Sequence, residues 1–140
     1  MIEQNVDIET RDGAMETFIC APDRGGPFAP ILFLMDAPGI REELRDMARR
    51  LATSGYLVAL PNLYYRAGRD TTFGPDVLEA GSAEHVRMRA VRTKMTIPPV
   101  MNDIADMLTY LADRADVRDG PVVCHGYCMS GHYALASAAR

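Results

Sequence analysis

The sequence lacks the features that mark secreted and membrane-spanning proteins. It has three cysteines in 140 residues, an odd number without the spacing of a disulfide framework, which favours free thiols in a reducing cytoplasm. No apolar run approaches the roughly 20 residues that a membrane span needs. Residues 1–10 also lack the charged-then-apolar order of an export signal. We therefore expect a cytoplasmic protein with no membrane partner.

The sequence also has no excess of basic residues. Lysine and arginine number 15 against 19 acidic residues, a net charge of −4, which argues against nucleic acid as the main partner. Hydrophobic residues make up 48% and charged residues 24%, as in ordinary globular proteins. The sequence has no repeat, low-complexity segment or linker. The length and composition predict a single domain over residues 1–140.

The hydrophobic pattern predicts alternating strands and helices. An alternating segment and an apolar one flank Asp12-Gly13, which predicts a β-hairpin. Short apolar runs predict three buried strands, and periodic or Pro-initiated segments predict helices between and after them. The predicted hairpin strands are 5–10 and 15–21, the buried strands 31–35, 56–60 and 121–125, and the helices 41–54, 82–95, one from 98 and one from about 129. Residues 62–81 are polar and Gly-rich, so we expect a loop outside the core.

This order predicts an α/β fold with a mostly parallel sheet flanked by helices, joined by right-handed crossovers. The last helix is still in progress at Arg140, and the last strand would have a bare hydrophobic edge. We therefore expect the 140 residues to be the N-terminal part of a larger domain, truncated after the final helix, with C-terminal strands and helices missing.

The residues around Cys128 have the layout of a nucleophile elbow: a buried strand, a sharp turn with the nucleophile at its apex, and a helix. The usual pattern is Gly-x-nucleophile-x-Gly, and here Gly126 fits while Ser130 replaces the second glycine. A thiol at a helix N-terminus meets the positive end of the dipole, which stabilises its thiolate. Cys128 is thus the candidate nucleophile, and the alternative is a buried structural cysteine in a tight turn.

Other residues near this turn leave further interpretations open. His125 and His132 could each lie near Cys128 and act as its base, although His132 is on the following helix. Cys124, His125, Cys128 and His132 are also residue types that bind zinc, but their spacing does not match a zinc site. Cys20 and Cys124 fall within apolar strand patterns and are predicted to be core residues. We expect no metal and no cofactor.

Two motifs at compatible separation give the sequence a resemblance to the dienelactone hydrolase family, α/β-hydrolases with a cysteine nucleophile. The segment GYCMSG at 126–131 is similar to the family's nucleophile motif. Upstream, LMDAPGI at 34–40 is followed by a helix and then by GYLVALPNLYYR at 55–66. The resemblance extends over nearly the whole chain, from about Asp7, and implies the α/β-hydrolase fold.

The resemblance implies roles for particular residues. Cys128 would be the nucleophile, and the backbone N–H groups of Ala37 and Met129 would form the oxyanion hole. Asp36 falls where the family has an acidic residue, commonly Glu, that interacts with the resting thiol and helps to activate it. Because Asp is one methylene shorter, the alternative for Asp36 is a loop-capping carboxylate.

The family also uses arginines to hold a substrate carboxylate. Arg66, Arg87 and Arg89 are the candidates here, together with Arg92, and Arg66 has a structural alternative. In the family the catalytic Asp and His follow the elbow helix, so the resemblance implies that both lie after residue 140.

The resulting hypothesis is hydrolysis of a small-molecule carboxylic ester or lactone through a thioester on Cys128. The alternative is a non-catalytic hydrolase-like module for binding or assembly, without the catalytic Asp and His. That alternative would favour an oligomer, and an oligomer is possible in either case.

Overall fold

The computed structural model describes all residues, 1–140, as a five-stranded sheet with helices packed against it. The strand order is β1-β2-β4-β3-β5. The strands are β1 (Ile2–Thr10), β2 (Gly13–Ala21), β3 (Ala29–Leu34), β4 (Tyr56–Pro61) and β5 (Val123–Gly126). The helices are α1 (Glu42–Ala52), α2 (Ala83–Arg92), α3 (Ile97–Ala112) and α4 (Gly131–Ala138).

The hairpin and the parallel strands occur in the predicted order. β1 and β2 pair antiparallel around Asp12-Gly13, where Gly13 has a φ of +133° that suits glycine. β3 is parallel to both β4 and β5. Because the hairpin also joins β4 in an antiparallel pair, the sheet is mixed, and its parallel part is the three strands predicted to be buried.

The helices follow the apolar faces seen in the sequence. α1 buries Leu44 and Ala48 and packs against β2 and β4. α3 buries Val100, Ile104, Met107 and Leu111 and packs against β1 and α4. α2 buries only Met88, in agreement with its thin apolar face. No helix is long and apolar enough to span a bilayer.

The segment after β4 departs from the prediction. Leu63, Tyr64 and Tyr65 are buried, as is Val77, so the expectation of a loop outside the core was wrong for these residues. A short 3-10 turn over Tyr65–Ala67 follows β4, and it places the two tyrosine rings inward. The later part of the segment remains irregular and largely exposed.

The sheet register brings two loops together. Leu34 of β3 pairs with Gly126 of β5 in a parallel ladder, so the residues that follow both strands meet at the same edge of the sheet. In parallel sheets this carboxyl edge is where ligands bind. β5 is the outermost strand, and Val123 is 51% exposed there. The expectation of a buried strand was therefore wrong for β5, because no strand covers its outer edge.

Candidate active site

Cys128 lies at the apex of the turn between β5 and α4 and is exposed. Its φ is +51°, in the left-handed region that non-glycine residues rarely occupy and that costs free energy. A 3-10 turn over Cys128–Ser130 leads into α4. The turn therefore presents the thiol to solvent at the carboxyl edge of the sheet.

Close packing behind Cys128 explains why position 126 is glycine. A Cβ built on Gly126 would lie 2.7 Å from the carbonyl carbon of Ser130 and 2.8 Å from its Cβ. These separations are shorter than van der Waals contact, and the Ser130 backbone could move away only at a cost in free energy. Gly131 has more space, since its built Cβ meets only the Gly126 carbonyl oxygen at 4.0 Å. The strand-turn-helix geometry thus requires Gly126 and accommodates Ser130.

The three thiols differ in their surroundings. Cys20 is fully buried, and burial raises the pKa of its thiol to about 11. Cys124 is partly buried on β5, and burial also raises its pKa. Because the thiolate is the nucleophile, these two residues are poor candidates. Cys128 is the exposed thiol of the chain.

The loop after β3 lies opposite the elbow. Ala37 is 3% exposed, and its backbone N–H donates no hydrogen bond within the chain. Buried N–H groups without a partner are rare in folded proteins. The next turn is closed by Gly39, which donates to the Asp36 carbonyl at 3.1 Å and has a φ of +85°. Because β3 and β5 pair in parallel, this unpaired N–H and Cys128 lie in loops that leave the same edge of the sheet, and an oxyanion hole is built from such donors.

The carboxylate of Asp36 is bound by an arginine. Arg41 donates from its two terminal nitrogens to the two Asp36 oxygens, at 2.7 Å and 2.9 Å. Arg41 also donates to the Gly39 carbonyl at 3.0 Å, so it spans the loop. The Asp36 carboxylate is the leading cause of a raised pKa at Arg41.

The two histidines near the elbow are held by aromatic contacts. The His125 ring stacks on Phe33, with centroids 4.8 Å apart, and its Nε2 is buried without a hydrogen-bond partner. The His132 ring lies against Tyr133 at 4.0 Å. Neither ring has a hydrogen bond to Cys128. No three His, Cys, Asp or Glu side chains group closely enough to bind a metal ion.

Arg66 forms ion pairs with two carboxylates of this chain. It donates to both oxygens of Asp103, each at 2.8 Å, and to Asp12 at 2.6 Å. Asp103 is fully buried and also accepts from the Tyr65 hydroxyl at 2.7 Å. Arg66 thus links the hairpin turn to α3, which supports a structural role for this arginine over a role in substrate binding.

The three arginines of α2 differ in whether their guanidinium groups have a partner. Arg87 donates to Glu84 at 2.6 Å and to the Thr72 carbonyl, and its guanidinium lies 4.3 Å from the centre of the Phe73 ring. Arg89 and Arg92 are exposed, and neither forms an ion pair or a side-chain hydrogen bond. Their charges are therefore available to a ligand.

Three side chains in this region make contacts that have no signal in the sequence pattern. The Tyr64 hydroxyl donates to the Ala37 carbonyl at 2.7 Å and lies 3.4 Å from the Met129 sulfur. The Ser130 hydroxyl donates to the Met35 carbonyl. Arg41, described above, is the third. A polar side chain that reaches a distant backbone carbonyl has no periodicity or spacing, so only the assembled fold identifies it.

A separate cavity of about 420 Å³ lies between the hairpin, the start of α1 and residues 69–72. Polar and charged side chains line most of it, among them Asp7, Glu16 and Arg69. None of the predicted site residues lines this cavity. The candidate site is therefore the open edge around Cys128.

The sequence profile of the dienelactone hydrolase family matches residues 15–140. The chain belongs to the dienelactone hydrolase family. A Methylorubrum extorquens protein named as a proposed carboxymethylenebutenolidase is 27% identical over 140 residues, all of this chain and 45% of that relative. An Escherichia coli K12 relative with the same assigned name is 40% identical over 48 residues, 34% of this chain and 18% of the relative.

Solved structures agree on the fold of this dienelactone hydrolase family member. A candidate dienelactone hydrolase from Klebsiella pneumoniae has a TM-score of 0.79 at 23% identity, over 99% of this chain and 55% of that one. The dienelactone hydrolase of Anabaena variabilis has a TM-score of 0.70 at 16% identity, over 99% of this chain and 57% of that one. The fold is thus the α/β-hydrolase fold. The chain spans about half the length of the curated relatives that match it over most of its length.

Proposed function

We propose that the full protein hydrolyses a small carboxylic ester or lactone, with Cys128 as the nucleophile. The observation that carries the proposal is the exposed thiol at a strained apex, next to a loop with an unpaired backbone N–H. Family membership and the assigned names of the relatives support the reaction class. A strained apex that costs stability is expected where function requires it.

The proposed reaction has two steps. In the first, the Cys128 thiolate attacks the carbonyl carbon, and the N–H groups of Ala37 and Met129 stabilise the oxyanion. Collapse of this intermediate forms a thioester and releases the alkoxide as an alcohol after it takes up a proton. In the second, water attacks the thioester and frees the acid and the thiol. One oxyanion donor is typically worth ~10²–10³ in rate.

The roles of the remaining predicted residues follow as parts of this proposal. Asp36 would influence the Cys128 thiol, although the charge of its carboxylate is already balanced by Arg41. Arg89 and Arg92 are the arginines of α2 that have no partner and could hold a substrate anion. The positive charge of Arg92 acts on the hydroxyls of Tyr64 and Tyr133, where it partly offsets the increase in pKa that burial causes.

The general base is expected from outside residues 1–140. His125 has its ring stacked in the sheet, and His132 lies against Tyr133. From the family resemblance we expect the catalytic Asp and His after the elbow helix, in the part of the relatives that this chain does not span. No cofactor is needed in the proposed steps.

The proposal is tested with the natural full-length polypeptide and an activated ester such as p-nitrophenyl acetate. We expect Cys128→Ala to lower kcat/KM by more than about 10³-fold, as loss of a covalent nucleophile does. Cys124→Ala is the matched control, because it removes a partly buried thiol four residues away, and it should retain turnover. Intact mass spectrometry of the rapidly quenched wild-type protein should show one added acyl group.

Unchanged turnover in the Cys128→Ala variant would refute the proposal. If the wild-type full-length protein had no turnover with esters or lactones, the non-catalytic binding or assembly module would replace it.

A further inference from the structure

Ser130 is the residue at which this chain departs from the Gly-x-nucleophile-x-Gly pattern, and its side chain has a partner. Ser130 is fully buried, and its hydroxyl donates to the backbone carbonyl of Met35. Met35 directly follows β3, whereas Ser130 closes the turn that follows β5. The hydroxyl therefore joins the two loops that lie on either side of the candidate oxyanion hole. A glycine at this position could not form this link.

A second hydrogen bond holds the same loop two residues further on. Tyr64, which is 1% exposed, donates its hydroxyl to the Ala37 carbonyl at 2.7 Å. The Ala37 N–H lies between the two anchored carbonyls of Met35 and Ala37, and it has no partner of its own. Donors for an oxyanion must be fixed before the charge develops, because reorganisation would cost part of their effect.

We propose that Ser130 is a positioning residue, which fixes the Ala37 N–H relative to the Met129 N–H. The inference rests on the proposed function, since it gives the Ser130–Met35 hydrogen bond a role in positioning that oxyanion hole. Ser130 does not touch the substrate. It acts through the loop after β3, with Tyr64 as the second anchor. The serine thus does more than tolerate the close packing against Gly126.

The first test measures the loop without any substrate. In the full-length protein, Ser130→Ala should lower the NMR order parameter of the Ala37 amide below the value of about 0.85 that is typical of rigid backbone. The matched control is Ser137→Ala, which removes a hydroxyl of α4 that likewise donates to a backbone carbonyl, that of Ala134 at 2.8 Å. An Ala37 order parameter that is unchanged in Ser130→Ala would overturn the proposal.

The second test separates positioning from damage to the thiol. Ser130→Ala should lower kcat for ester hydrolysis by about tenfold with KM unchanged, less than the ~10²–10³ that loss of a whole donor costs. Alkylation of Cys128 by iodoacetamide should keep its rate, because displacement at a saturated carbon creates no oxyanion. An equal loss in both reactions, or no loss in hydrolysis, would contradict the proposal.

Two further variants keep the test decisive. Ser130→Cys keeps the shape of the side chain with a slightly larger and weaker donor, so its order parameter and kcat should lie between those of the wild type and Ser130→Ala. Tyr64→Phe removes the second anchor and should reproduce both effects, including the unchanged alkylation rate. If the wild type hydrolysed no ester while Ser130→Ala still loosened Ala37, the proposed function would fail and the link between the loops would stand.

Discussion

The guanidinium of Arg41 binds both carboxylate oxygens of Asp36, with N–O distances of 2.7 Å and 2.9 Å. The Asp36 side chain is 16% exposed and that of Arg41 is 37% exposed, so the pair lies at the edge of the solvent. The carboxylate that the family resemblance assigns to the resting thiol is therefore already paired with a residue from the loop before α1.

This pairing predicts a measurable coupling in stability. In a double-mutant cycle of Asp36→Asn and Arg41→Gln, the free energy of unfolding should show a coupling of about 1 kcal/mol, reduced by partial exposure. Urea denaturation measures it. The control is the cycle of Arg41→Gln with Glu43→Gln, whose side chain is 76% exposed and should show no resolvable coupling. Additive effects of the Asp36 and Arg41 substitutions would refute the prediction.

The left-handed conformation of Cys128 predicts that glycine stabilises the inactive protein relative to alanine. At a φ of +51°, alanine retains the Cβ clash that glycine lacks. Cys128→Gly should therefore be more stable than Cys128→Ala by about 1 kcal/mol, as measured by thermal unfolding.

The neighbouring position provides the control. Tyr127 has an ordinary φ of −105°, so there glycine should be less stable than alanine. If glycine were less stable than alanine at position 128 as well, the apex would be unstrained and the prediction would be wrong.

Much of the fold could be predicted from the sequence because it depends on local signals. The Asp12-Gly13 turn, the apolar strand runs and the α3 periodicity are contiguous, and each appears as an element in the structure. The early part of residues 62–81 was misassigned, because its buried residues have no regular spacing. Leu63, Tyr64 and Tyr65 are buried by the 3-10 turn that follows β4, and this turn has no strong sequence pattern.

The candidate site was predictable only where its chemistry is local. Cys128 and Gly126 lie within one motif, and the steric need for Gly126 follows from the packing of that motif. The partners of Asp36 and Arg66 depend on which loops and helices meet. The Arg66–Asp103 pair joins residues 37 positions apart, and nothing in the spacing identifies it.

The buried carboxylate of Asp103 predicts a structural role for Arg66. Asp103→Asn leaves the guanidinium with one charged partner, the exposed Asp12, and should lower the free energy of unfolding by about 2 kcal/mol. This is less than the roughly 3–5 kcal/mol for a fully buried pair, because the Arg66 side chain is 32% exposed. Urea denaturation measures the change.

Asp12→Asn is the matched control, because its side chain is 45% exposed and binds the same arginine. It should change stability much less than Asp103→Asn. Equal effects of the two substitutions would contradict the structural role of the buried pair.

Burial of His125 predicts that stability falls on mild acidification. Burial lowers its pKa below the ordinary value of 6.5, and its Nε2 has no partner to favour the charged form. Below about pH 6.5 the unfolded chain takes up a proton that the folded protein resists, so this stability is present above that pH and is lost as pH falls. The melting temperature should therefore decrease between pH 7 and pH 5.

His125→Phe should flatten this decrease, since phenylalanine retains a ring against Phe33 and has no proton to gain. His132→Phe, at an exposed position on α4, is the matched control and should keep the wild-type slope. The partly buried carboxyl of Asp116, whose pKa is lowered from 3.8 by Arg114, titrates at more acidic pH and does not overlap this window. If the slope persisted in His125→Phe, the acid sensitivity would have to come from another group, and the buried imidazole would not be its source.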